Sequence, residues 1–263
     1  MKLQKAILIL NSYQVSSASD SHVSRFDTRA LLIVTFAFLI CMLSVPLQQP
    51  DRVIWFAVYP IIMAPLANLN YADVFKKSLY VLPFIILIGI FNPFIDKDSV
   101  VKLGAFTVTS GWISFFTIII RGLLAMQALV ILIHVGGFIN ICNAINKLHV
   151  PKVFTTQLLL LYRYIGLLLE EAHSMYRSME ARGFGKSSFP LKLWTSFVGS
   201  LLVRTFEKSK RIHMAMIARG FNGSIPLGKT LEWNLPDGLF CLGWCSLFLF
   251  LHFVNLGNFF FAN

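Results

Sequence analysis

The chain has 263 residues, of which 56% are hydrophobic and 13% charged, with 25 Phe, a mean hydropathy of +0.70 and a formal net charge of +11. Soluble domains carry about 25% charged residues, so this composition excludes an ordinary soluble domain and points to membrane insertion. The four cysteines, Cys41, Cys142, Cys241 and Cys245, contain no Cys-x-x-Cys spacing, which leaves neither a disulfide framework nor a zinc site to be read.

Lys2 and Lys5 precede an apolar core, Ala6-Ile7-Leu8-Ile9-Leu10, that is shorter than the roughly 7–15 residues of a secretory signal. Residues 1–29 are therefore expected to be a short cytosolic or interfacial lead-in. A membrane span takes roughly 20 apolar residues. The first expected span is Ala30–Val45, bracketed by Arg29 and Pro46, and the second is Val53–Ala67, kinked by Pro60 and Pro65. The third, Ser78–Phe94, begins after Lys76-Lys77 and closes on the turn signal Asn92-Pro93.

Thr107–Ile139 is too long for one perpendicular span. It is either one tilted helix that runs on into the cytosol or two helices broken near Arg121-Gly122. One helix is favoured, because it leaves the basic region that follows inside. Arg121 lies within this run, where a charge costs roughly 2.5–3.5 kcal/mol at the membrane centre. It must face protein or water, either as a structural arginine bonded to carbonyls or as a contact to a partner subunit. Gly238–Phe261 is the last expected span.

Most of the positive charge lies between Lys147 and Lys229, which the positive-inside tendency places in the cytosol. The predicted fold is all-α: a polytopic integral membrane protein with about five transmembrane helices and long cytosolic amphipathic helices. Residues 30–139 form spans 1–4, 140–236 the cytosolic helical region and 237–263 the last span. The N-terminus is expected inside and the C-terminus outside, in a multi-pass protein of the inner (cytoplasmic) membrane.

In the cytosolic region Pro151 suits a first helical position. Leu158, Leu161, Ile165, Leu168, Ala172, Met175 and Met179 then follow the 3-4 spacing of an apolar stripe. Gly183 stands where a helix end needs a left-handed residue, with Arg182 at the negative end of the helix dipole. Pro190 opens a second segment, whose stripe runs Val198, Leu202, Phe206, Ile212, Met216 and which Gly220 closes in the same way. Met179-Glu180-Ala181-Arg182-Gly183-Phe184 thus returns 37 residues later as Met216-Ile217-Ala218-Arg219-Gly220-Phe221. Capping explains the glycines. It does not explain why Ala-Arg-Gly-Phe occurs intact twice.

Other motifs carry less. Gly185-Lys186-Ser187 ends like a phosphate-binding loop, but Glu180 stands where its first glycine belongs and a helix precedes it, so no nucleotide site is expected. None of the six histidines has a His or Cys at a helical ligand spacing. No metal, cofactor or catalytic constellation is expected, and the adjacent pair Glu170-Glu171 reads as salt bridging. The basic helices suit anionic lipid as a secondary contact. They lack the interleaved aromatics of a nucleic-acid platform.

At these residues the chain resembles the transmembrane T component of energy-coupling factor ABC transporters, the EcfT/CbiQ family. Phe26-Asp27-Thr28-Arg29 resembles the family's Leu-Asp-Pro-Arg start of the first span, with Thr28 departing from the proline. Gly89-Ile90-Phe91-Asn92-Pro93-Phe94 resembles its Gly-x-x-Asn-Pro-Leu turn. Leu148-His149-Val150-Pro151, Tyr162-Arg163-Tyr164 and Glu170-Glu171-Ala172 resemble the approach to the first coupling helix, and the two Ala-Arg-Gly triplets resemble its paired signatures.

The resemblance implies a non-enzymatic scaffold that links two cytosolic ABC ATPase subunits to a substrate-binding membrane S component, here CbiM-like. It implies ATPase docking at Ala181, Arg182, Gly183, Ala218, Arg219 and Gly220, with Arg121, Arg163 and Glu170 as candidate subunit contacts. Ser110-Gly111-Trp112-Ile113-Ser114 and Gln157-Leu158 with Tyr162-Arg163-Tyr164 look more like the cobalt type, which would supply cobalamin biosynthesis, than the vitamin type. Nickel and vitamin uptake are the alternatives. A membrane-anchored binder of anionic lipid or nucleic acid is the rival of another class.

Overall fold

Asp27 caps the first helix of the computed structural model, α1 (Thr28–Ser44), by accepting the Arg29 N–H on Oδ1 at 2.9 Å. The structure describes residues 26–95, 99–103, 106–148, 150–182, 190–223, 225 and 233–253. The lead-in as far as Arg25, Gly183 with the Gly185-Lys186-Ser187 loop, and the end of the last expected span beyond Phe253 lie outside the described residues.

Along α1, Ala30, Val34, Phe38 and Met42 recur every four residues and are all 0% exposed, whereas Phe36, Ile40 and Leu43 are more than half exposed. An apolar face of that kind on a membrane helix points at lipid.

Proline joints shape the runs expected as the second and third spans. The second is α2 (Pro50–Trp55) and α3 (Val58–Leu66). Pro60 has no N–H for the Phe56 carbonyl, and the amides of Phe56 and Ala57 bond three residues back, to Val53 and Ile54, at 3.1 and 2.9 Å. The third, expected over Ser78–Phe94, takes in the end of α4 (Tyr71–Leu79), α5 (Leu82–Gly89) and most of the short α6 (Asn92–Ile95). Pro83 acts there as Pro60 does, and the Tyr80 and Val81 amides turn back to Lys77 and Ser78. Both runs are helical but jointed.

An antiparallel hairpin follows, β1 (Ser99–Leu103) with β2 (Phe106–Thr109), Lys102 standing opposite Thr107. It is an addition to the expected all-α fold. Val100, Val101, Thr107, Val108 and Thr109 are β-branched, which favours extended backbone. Residues 107–109 therefore belong to a strand and do not start the fourth span.

α7 (Ser110–Gly136) passes Arg121-Gly122 without a break. The chain breaks instead at Gly137, whose φ of 65° is left-handed, before α8 (Phe138–Lys147). Gly122 is a packing position, since a Cβ there would collide with Ile85. A Cβ on Gly89 would come within 2.9 Å of the Phe115 ring. Bare Cα positions on both helices let α5 and α7 approach closely.

The chain packs as two units, one holding described residues up to 144 and from 233, the other running from 145 to 225. In the first unit α7 is central and touches α1 to α6, while α11 (Leu235–Phe253) packs on α1. Phe38 stacks on Tyr59 at 4.7 Å and meets Phe248 at 5.5 Å, and Trp244 meets Tyr59 edge-on at 5.0 Å. Such pairs add roughly 0.5–1.5 kcal/mol each beyond their buried area. The Tyr59 hydroxyl lies 3.2 Å from Thr35 Oγ1, so the polar tip of this cluster is satisfied.

Where α1 begins, a polar network ties it to α11. Asp237, 3% exposed, accepts the Asp27 N–H on Oδ1 and the Asn234 N–H on Oδ2, both at 2.9 Å. Asp27 pairs with Arg29 at 2.7 Å, the Arg29 guanidinium lies 5.7 Å from the Trp233 ring, and Phe26 stacks on Phe240 at 4.7 Å.

By length and composition α7, α11 and the helix over Lys152–Arg182 can each cross a membrane, and α1, with 17 residues, is a shorter apolar helix. The chain is a multi-pass, predominantly α-helical membrane protein.

Candidate docking site

Ala181-Arg182 and Ala218-Arg219-Gly220 stand at the ends of the two longest described helices of the second unit, α9 (Lys152–Arg182) and α10 (Leu191–Ala218). Pro190 takes the N-cap position of α10 in extended conformation, where its missing N–H costs nothing. From Val153 to Leu169 the only charged residue of α9 is Arg163, while Glu170, Glu171, Arg177, Glu180 and Arg182 crowd the rest. That asymmetry gives the stretch expected in the cytosol a first half as apolar as a span.

The helices run antiparallel. Glu171 Oε1 accepts from Arg204 Nη1 at 3.4 Å and Oε2 faces Lys208 Nζ at 3.5 Å, while Tyr176 meets Trp194 at 6.3 Å between ring centroids. Rising numbers on α9 thus meet falling numbers on α10. Ion pairs this long and this exposed contribute about 0–1 kcal/mol, so they set register more than they hold the pair together. Glu171, and not its neighbour Glu170, makes the link between the helices.

Antiparallel packing sends the two arginines in opposite directions. Arg182 lies 11 residues beyond Glu171 on α9, and Arg219 lies 15 residues beyond Arg204 on α10. At 1.5 Å per residue the tips are roughly 25–40 Å apart, the smaller value for perpendicular crossing and the larger for full alignment.

The Arg219 tip is built by the backbone. Gly220 adopts φ 82°, its N–H bonds to the Ile217 carbonyl at 2.9 Å, and the Phe221 N–H reaches back to Met216 at 3.0 Å. These two bonds make a Schellman cap, which glycine closes without strain. Ala218 and Arg219 are exposed, and on α9 so are Ala181 and Arg182. Gly183 lies outside the described residues, so the first tip is seen only as far as its arginine.

The remaining predicted residues are not brought to these tips. Arg163 and Glu170 are exposed on α9, seven residues apart and therefore on one face. Arg121 belongs to the membrane unit, is 8% exposed, and donates through Nη2 to the carbonyls of Val45 and Pro46 at the end of α1. This is the carbonyl-bonded arrangement, in which a cation sits at the negative end of the α1 dipole. Among the described residues Arg121 Nε has no hydrogen-bond partner.

Asp237 was not singled out by the sequence. A lone aspartate four residues after a tryptophan gives no signal of its two backbone partners.

Between the apolar half of α9 and the end of α10 lies a groove of about 760 Å³. Leu158, Leu161, Ile165 and Leu168 face it from α9, and Thr205, Lys208, Ser209 and His213 from α10. Among the described residues no three His, Cys, Asp or Glu side chains stand together as metal ligands.

A family model described as CbiQ, cobalt transport protein, matches residues 19–230. An uncharacterized protein of Methanocaldococcus jannaschii is 33% identical over 106 residues, covering 39% of this chain and 36% of its own length. A second uncharacterized protein of that organism is 31% identical over 88 residues, 33% of each chain. The chain therefore spans about a third of the length of these two relatives. The energy-coupling factor transporter transmembrane protein EcfT of Leuconostoc gelidum subsp. gasicomitatum is 24% identical over 227 residues, 80% of this chain and 83% of that one.

Proposed function

The chain belongs to the CbiQ family of cobalt transport proteins, and from that membership we propose that it is the transmembrane T component of an energy-coupling factor importer. It is the membrane component of a transporter and not an enzyme; ATP hydrolysis belongs to partner subunits. The likeness to EcfT over 80% of the chain supports this assignment. The observation that carries it is the pair of arginine-ended helices, antiparallel, with both arginines exposed and pointing to opposite ends of one unit.

Each of the two ATPases would take one arginine, Arg182 or Arg219, into an acidic groove. The planar guanidinium suits a carboxylate fork, and Ala181 and Ala218 keep the approach clear of bulk. Gly220 ends α10 just after Arg219, and Arg182 is the last residue of α9, so each arginine stands at a tip. ATP-driven closure of the ATPases would move the two tips, and the helices would carry that displacement to a CbiM-like S component. Residues 140–236 are the proposed cytosolic coupling region, with Arg163 and Glu170 as contacts to a neighbouring subunit. Cobalt is the proposed cargo, on the strength of the family's description, with nickel or a vitamin as alternatives; selectivity would reside in the S component. Lipid is the remaining partner, and nucleic acid is not one.

The test is co-purification of the ATPases with the full chain. Arg182→Ala with Arg219→Ala is expected to abolish recruitment, since losing one buried partner of such a pair costs about 2–5 kcal/mol at each site. Lys210→Ala with Arg211→Ala removes equal charge from exposed positions of α10 and is expected to leave most of it. Equal losses from both double variants would sink the docking assignment and favour a general basic surface.

A further inference from the structure

We infer that the groove between α9 and α10 binds an anionic phospholipid, an acyl chain lying along α9 and the phosphate on Lys208. The groove is lined mainly by apolar side chains, with one polar stripe on α10. Leu158, Leu161, Ile165 and Leu168 make the α9 wall apolar, and the last three of these are 60%, 41% and 38% exposed. On α10 Phe206, Ile212 and Met216 continue the apolar lining, while Thr205, Ser209 and His213 recur every four residues with Lys208 beside them, so one stripe of that helix is hydroxyl and cationic. An amphiphile matches the apolar lining and the polar stripe at once; a purely apolar or purely polar ligand matches one.

The charge selects an anion. Among the described residues no Asp or Glu lines the groove, and Lys208 meets Glu171 only at 3.5 Å, which leaves ammonium protons for a second acceptor. At about 760 Å³ the groove is within the range of roughly 300–1,000 Å³ typical of small-molecule sites. The supply is local, because the α9 half that forms the apolar wall has the length and apolarity of a membrane span. None of this depends on the transporter assignment.

Native mass spectrometry of the full chain in mild detergent tests the site, with phosphatidylglycerol and phosphatidylcholine of matched acyl chains as probes. Phosphatidylglycerol is expected to be retained preferentially. Lys208→Gln should lower that retention about fivefold, the worth of one cation near an anionic surface, while Lys210→Gln, outside the lining, should not. Ser209→Trp fills the groove and should lower retention of both lipids.

Equal retention of the two lipids, or equal effects of Lys208→Gln and Lys210→Gln, would overturn the proposal. Should Ser209→Trp fail to fold, a phosphatidylglycerol with a photoreactive acyl chain decides. Labelling of the peptide over 158–168 supports the site, and labelling confined to α7 or α11 refutes it.

Discussion

Replacing Asp237 tests how the first and last described membrane helices are joined. Its carboxylate is 3% exposed and accepts two backbone N–H groups, from Asp27 and Asn234, each at 2.9 Å. Asp237→Ala leaves the buried Asp27 N–H without an acceptor and the part-buried Asn234 N–H to be met in part by solvent. At about 1–3 kcal/mol for a buried unsatisfied group and less for the second, the loss is roughly 1–4 kcal/mol. Asp237→Asn keeps one oxygen and turns an amide NH₂ toward the other donor, so about half that loss is expected. The Asp27–Arg29 pair is untouched in both variants and keeps α1 capped. The assay is equilibrium unfolding in mixed micelles at increasing dodecyl sulfate fraction, followed by circular dichroism, with the exposed Glu180→Ala as a reference expected within about 0.5 kcal/mol. If Asp237→Ala costs no more than Glu180→Ala, or Asn costs more than Ala, the network does not hold α1 to α11.

Two glycines of the same helical class are expected to respond with opposite sign in that assay. Gly122→Val drives a side chain into Ile85 and should destabilise by about 1–3 kcal/mol, whereas Gly199→Ala meets nothing within 4 Å and should stabilise by about 0.5–1 kcal/mol. At the second tip, Gly220→Ala forces an L residue to φ 82°. It should cost about 1–2 kcal/mol, read as fraying of the last turn of α10 by hydrogen exchange, with ATPase recruitment weakened because Arg219 loses its fixed direction.

Features set by near neighbours were legible in the sequence. The Arg29 and Pro46 boundaries bracket α1 to within a residue or two, Pro60 was read as a kink, and Gly220 was read as a left-handed cap from its place after an apolar stripe. Features set by distant partners were not. One helix through Arg121-Gly122 was favoured from the sequence and α7 is that helix, but the contact that makes Gly122 a packing position comes from Ile85 and could not be read. Thr107 and Val108 are apolar enough to pass for the start of a span, and only pairing with β1 turns them into a strand. The Glu170-Glu171 doublet announced a salt bridge without saying which carboxylate faces the neighbouring helix; the register of α10 chooses Glu171. On α9 the regular apolar stripe drew attention to amphipathicity and away from the length of the run that precedes Glu170.

The Asp27–Asp237 bond also fixes an order of events during synthesis. Its two residues are 210 positions apart. At about 5–20 residues per second, α1 enters the bilayer on the order of 10–40 s before the carboxylate that secures it exists. The α9–α10 pair is complete before α11 begins. The surfaces proposed to dock partners are therefore synthesised while the α1–α11 contact is still unmade, and a subunit arriving on them would meet a chain whose own closure has yet to occur.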